Sequence, residues 1–156
     1  MRSIALAVLS CCLLASTSTA QAAQTVDARL DARHVKFEKD KDGDYRVVYN
    51  YAKEGRTQLV FVGGSTEDVG GFTVREVFSP AGNIDDDPID GAMALKLLDN
   101  SRSAKLGAWE LSGKTLVYVI KLPDDVSAAE LEAAMDIAAT QADDMEIKLS
   151  GDRDNY

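Results

Sequence analysis

Between Tyr45 and Tyr51 the chain alternates strictly: Tyr45, Val47, Tyr49 and Tyr51 on one phase, Arg46, Val48 and Asn50 on the other. A period of two over seven residues fits a half-buried strand and does not fit a helix, whose apolar positions recur every three or four residues. The segments on either side make this strand part of a sheet. Lys39-Asp40-Lys41-Asp42-Gly43-Asp44 precedes it as a polar turn, and Lys53-Glu54-Gly55-Arg56 follows it as another. Thr57 to Val62 then forms a short apolar strand, and Phe72 to Phe78 a third, ended by Ser79-Pro80-Ala81-Gly82-Asn83. Three strands joined by short turns predict an antiparallel meander.

Helical signals surround this meander. Residues 23–38 carry a modest helical pattern in which Val26, Leu30, His34 (or Ala32) and Phe37 share one face. Asp87 offers a cap and Pro88 a first helical residue for a leucine-rich helix that runs to Asp99-Asn100. Two more strands, Leu106–Leu111 and Thr115–Leu122, flank Ser112-Gly113-Lys114 and predict a hairpin. The last helix has the clearest start. Ser127 and Glu130 stand at capping-box spacing, and Val126 and Leu131 stand at the staple positions. Leu131, Ala134, Met135, Ala138 and Ala142 then recur on one face, as core packing requires. The expected order is α-β-β-β-α-β-β-α. This is an α+β domain with a mostly antiparallel five-stranded sheet flanked by helices.

Residues 1–22 read differently. A short positive start (Met1-Arg2-Ser3), an apolar run from Ile4 to Ala15 and small residues up to Ala22 follow the plan of a cleaved signal peptide. Cleavage is expected after Ala20 or Ala22, and the protein is expected to be periplasmic or secreted. A competing use of the same stretch is lipoprotein anchoring through Cys11, because Val8-Leu9-Ser10-Cys11 loosely follows a lipoprotein signal. The apolar run is too short for a membrane span, which needs roughly 20 residues. Removing 22 of the 156 residues leaves 134, enough for a single domain over 23–156.

Composition narrows the chemistry. Both cysteines, Cys11 and Cys12, fall in the leader, so the mature chain has neither a disulfide nor a thiolate. His34 is the only histidine, which excludes Ser/His/Asp and Cys/His catalysis and histidine-based zinc sites. With 26 acidic against 17 basic residues the chain carries a net charge of −9. Nucleic acid and anionic membranes are therefore not expected partners.

Asp40, Asp42 and Asp44 have the one-three-five spacing of a calcium loop, but Tyr45 replaces the required glycine and Tyr51 the required glutamate. Asp85-Asp86-Asp87 with Asp90 suits a helix start, and the tail from Gly151 to Tyr156 reads as a loose terminus. Gly63-Gly64 and Gly70-Gly71 bracket what reads as a connecting loop; no Gly-Lys-Ser/Thr follows to make it a phosphate loop. No catalytic, cofactor-binding or metal-binding residue is assigned. Tyr45, Tyr49 and Tyr51 are the candidate partner-binding residues, since amphipathic rings suit interfaces. The competing use of that face is packing beneath the helices.

From Asp87 onward the segment pattern resembles the YbjN family, domains with a type III secretion chaperone-like fold. The stretches that carry the resemblance are Ala94–Asn100, Leu106–Glu110 with Trp109, Leu116–Leu122, Ala129–Glu132 and Ala142-Asp143-Asp144. The resemblance implies protein binding and often homodimers, and it brings no catalytic residues. Secretion chaperones act in the cytoplasm, whereas this chain begins with an export signal. The sequence thus leads to an exported, non-enzymatic protein-binding or chaperone-like module. The alternatives are a metal- or small-ligand-binding protein that uses the acidic clusters, and a carboxylate-pair hydrolase.

Overall fold

A computed structural model describes residues 24–151 and 153–156. The leader expected over residues 1–22, with both its cleavage points and Cys11, lies outside the described residues. Among those described, no helix is long and apolar enough to cross a membrane.

The chain opens with α1 (Val26–Ala32), capped by the Thr25 side chain, which accepts from the Ala28 amide at 3.2 Å. The helix is shorter than the pattern over 23–38 suggests. His34 adopts a left-handed backbone (φ 59°), which ends the helix, and the chain then runs extended. Val26 and Leu30 pack from the helix as expected, whereas Phe37, with Val35, packs against the core from the extended segment.

The sheet has seven strands where five were expected. They are β1 (Glu38–Lys39), β2 (Tyr45–Tyr51), β3 (Arg56–Val62), β4 (Glu67–Val69), β5 (Phe72–Asn83), β6 (Ala108–Ser112) and β7 (Thr115–Pro123). Their spatial order is β1-β2-β3-β5-β7-β6, with β4 paired to β5 beside this path, and every pairing is antiparallel. The two unforeseen strands, β1 and β4, are two and three residues long, too short for alternation to register. Strand β4 occupies the segment read as a connecting loop between the glycine pairs. The β6–β7 hairpin joins the sheet through its second strand, leaving β6 at the edge.

Strand β5 also runs past its expected end at Phe78, through to Asn83. Pro80 has no amide to give the ladder, and the register slips between Pro80 and Gly82. Side chains take over there. The buried Gln58 amide donates to Ser79 Oγ (2.9 Å) and the Pro80 carbonyl (2.7 Å), and Ser79 Oγ donates to the Leu59 carbonyl (2.6 Å).

Helix α2 (Gly91–Ser103) starts later than Asp87-Pro88 suggests, because Asp90 is its cap and accepts from the Met93 amide at 2.8 Å. Asp87 is committed elsewhere: it accepts from the Asn83 amide (2.7 Å) and pairs with Arg153 (2.6 Å). Helix α3 (Ala128–Ser150) carries the capping box at Ser127 and Glu130. Its alanines 134, 138, 139 and 142 are fully buried, letting the helix backbone lie close to β3, β5 and β7.

The helices share one face of the sheet. Beneath them lie Tyr45 and Val47, Val60 and Val62, Val77, Tyr118 and Ile120, and Trp109, all in one core with residues of α1, α2 and α3. Because side chains alternate along a strand, their neighbours project from the opposite face.

Candidate protein-binding surface

The three candidate tyrosines lie on the helix side. Tyr45 is buried, its ring 5.5 Å from that of Phe37, and its hydroxyl donates to Asp27 of α1 at 2.7 Å. Burial first, and the Asp27 carboxylate second, raise its pKa. The Tyr49 hydroxyl donates to Asp136 of α3 at 2.8 Å; burial and then that carboxylate push its pKa well above the usual phenol range. Tyr51 sits beside Thr140 of α3, and burial raises its pKa as well. The structure thus places the three residues on the helix side of β2, with the hydroxyls of Tyr45 and Tyr49 engaged by α1 and α3.

Charged groups tie this side down. Arg29, 2% exposed, donates to the carbonyls of Asp124 (2.7 Å) and Val126 (3.2 Å) and to the Asp124 carboxylate (3.0 Å). Arg75 reaches the same carboxylate at 2.6 Å. Burial alone would raise the Asp124 pKa, but the bonds from Arg75 and Arg29 outweigh it and hold the carboxyl below its ordinary value. Arg56 joins Asp143 and Glu146 of α3, each at 2.8 Å.

The C-terminal residues are anchored, which corrects the expectation of a loose tail. Asn155 N–H donates to Glu146 (2.7 Å), Thr57 N–H to Asp154 (3.2 Å), and Arg56 to the Arg153 carbonyl (2.9 Å). The acidic segments are likewise engaged. The Asp40 carboxylate accepts from the amides of Asp42 (2.9 Å) and Asp44 (3.0 Å), and Asp85 pairs with Lys114 (2.6 Å). Among the described residues no cluster of three or more His, Cys, Asp or Glu is placed to hold a metal ion.

The opposite face of the sheet has no helix on it among the described residues. Strand pairing aligns Arg46, Phe61, Phe78, Val119 and Ala108 in one row across five strands. Two residues along, Val48 lies beside Leu59, and Pro80 beside Val117. Phe61 and Phe78 stack with centroids 5.1 Å apart and planes within 10°. Val48 is 42% exposed. Past Val74, the β4–β5 hairpin carries Val69 and Phe72, which are 56% and 66% exposed. Within these rows Val117 and Val119 are buried and Phe61 and Phe78 half-buried, so the exposed apolar side chains are Val48 and, on the hairpin, Val69 and Phe72.

A cavity of about 480 Å³ opens on this face, between the apolar rows and the hairpin. Val69, Val74 and Phe78 form its apolar wall, and Asp44, Glu67, Glu76 and Lys121 its polar one. Gly64 makes its rim possible: a Cβ there would collide with the Gly43 carbonyl. A second apolar surface lies at the sheet edge, where a cavity of about 460 Å³ separates α2 from β6 over Leu97, Trp109 and Leu116. Leu98 on α2 and Leu111 on β6 stand exposed beside it.

The sequence reading missed the helix-free face, although a signal was present. Leu59-Val60-Phe61-Val62 and Leu116 to Leu122 are apolar on both phases, which marks strands with two apolar faces. No family model matches this chain, and no curated protein matches it.

Proposed function

We propose that this chain is an exported, non-enzymatic protein-binding module of the bacterial envelope, chaperone-like in its use, in keeping with its resemblance to the YbjN domains. The observation that carries the reading is the helix-free sheet face, with the Phe61–Phe78 stack at its centre and exposed Val48, Val69 and Phe72 around it. Burying the exposed Val48, Val69 and Phe72 contributes about 25 cal/mol per Å² of apolar surface, which favours a partner there. The leader pattern supports an envelope location, and the lack of a histidine or cysteine nucleophile–base set supports a role other than catalysis.

Site-directed photocrosslinking in the bacterial envelope tests this. The full chain is expressed with its own leader and carries a photoreactive residue either at Phe78 or at Asp144, which is exposed on α3. Discrete adducts from position 78 and none from position 144 are expected. Equal labelling from both positions, or none from either in a folded protein, would overturn the reading.

A further inference from the structure

We infer that the partner segment recognised by the helix-free face is basic as well as amphipathic, with a lysine or arginine of that segment seated in the cavity beside Asp44 and Glu67. The inference rests on the reading that this face binds protein, and goes further by giving the partner's chemistry.

The first argument is charge. The cavity presents three carboxylates, Asp44, Glu67 and Glu76, and one cation, Lys121. That cation is already committed: Lys121 binds Glu110 at 2.7 Å and Glu76 at 3.6 Å. Among the described residues, no cationic side chain lies within ion-pair distance of Asp44 or Glu67. Glu67 makes no side-chain hydrogen bond, and Asp44 accepts one, from the Gly64 amide at 2.8 Å. A cationic side chain entering here meets two carboxylates, with Val69, Val74 and Phe78 to cover its aliphatic stem. An anionic segment meets uncompensated repulsion.

The second argument is size. Five strands about 4.8 Å apart make the rows about 20 Å long, with Arg46 closing one end and Glu110 the other, so the apolar part is shorter still. Two residues along each strand make them less than 10 Å wide. That is far below the roughly 800 Å² each partner buries in a standard protein interface. A flat second copy would leave most of its own contact surface unmatched, and two chains of charge −9 repel one another. One helix, about 10 Å across and some 13 residues long, covers the rows.

The test uses the full chain, processed and purified from the envelope, with two synthetic 18-residue amphipathic peptides. Both have the same leucine face; one carries lysines on its polar face and the other glutamates. The lysine peptide is expected to bind at least tenfold tighter at physiological ionic strength. Glu67→Lys is expected to weaken it at least tenfold, while Asp144→Lys on α3, with the same change in net charge, costs less than twofold. The Glu67 side chain is exposed and makes no hydrogen bond, so the variant retains the fold, which circular dichroism verifies.

Equal weakening by the two lysine variants would reduce the effect to general attraction by an acidic chain and overturn the inference. Equal binding of both peptides, abolished by Phe78→Ser, would overturn the basic preference and leave the face as a protein-binding surface. Binding unaffected by Phe78→Ser, or no binding of either peptide, would remove both.

Discussion

The two faces of this sheet are made from the same strands and have opposite fates. On the helix side, polar groups beneath the helices are largely matched: Tyr45 to Asp27, Tyr49 to Asp136, Arg29 and Arg75 to Asp124, Gln58 to Ser79. On the other side the Phe61–Phe78 stack is half-buried with no helix over it, and Asp44 and Glu67 at the cavity have no cation within ion-pair distance among the described residues. The difference shows that aromatic content alone does not mark an interface. Tyrosine hydroxyls find partners within the fold, so a tyrosine-bearing face can be closed by its own helices. The face that lacks such handles is the one the described helices leave uncovered. Apolar area is the main thing it has to offer, and area needs no fixed geometry to be useful.

The sharpest way to break this comparison is to place a charge on the closed face. Val47 is 5% exposed within the core. Val47→Lys buries an ammonium with no anion positioned to receive it, and is expected to cost more than about 4 kcal/mol, enough to unfold a domain of this size. Loss of the cooperative urea transition checks it. A folded variant with near-normal stability would mean that the face is not closed.

Asp124 tests the electrostatic part of the closure. Replacing it by alanine leaves Arg29 buried without its anion, at an expected cost of about 3 kcal/mol. Its pH dependence has a definite sign. The folded pKa lies below the unfolded carboxylate value of about 3.9, because Arg75 and Arg29 outweigh burial. The stabilisation is therefore complete above that unfolded value and is lost as pH falls through the lower folded one. Urea midpoints of wild type and Asp124→Ala are expected to differ most above pH 5 and to converge below pH 4. A constant gap across that range would show that the carboxylate's charge contributes nothing.

What could be read in advance follows the same division. Elements with a local signal were legible: alternation fixed β2 to Tyr45–Tyr51, and the Ser127–Glu130 box fixed the start of α3. Elements set by distant partners were not. Asp87 resembles a helix cap until Arg153, 66 residues away, claims it, and Pro80 resembles a strand terminator until Gln58 bonds its carbonyl. Strand β4 exists because β5 pairs with it, and three residues carry no period of their own. For the candidate site, the tyrosine phase was read correctly as one face, but periodicity does not say which face a helix will cover. The three helices of the described residues all settle on one side, and that fact is tertiary.

Val48 adjoins Val47 on the same strand and has the same side chain, so it isolates the face as the single variable. It is 42% exposed, and its cross-strand neighbour is Leu59. Val48→Lys places its ammonium in water, with only the stem over the apolar row, and is expected to change stability by no more than about 0.5 kcal/mol. Urea denaturation of the two variants side by side makes the measurement internal, since β propensity and residue volume change equally in both. If Val48→Lys proves as costly as Val47→Lys, the second face is already covered, and the case for an external partner on it fails. If it is neutral in stability but blocks the position-78 crosslink, the same substitution separates what this face does for the fold from what it does for a partner.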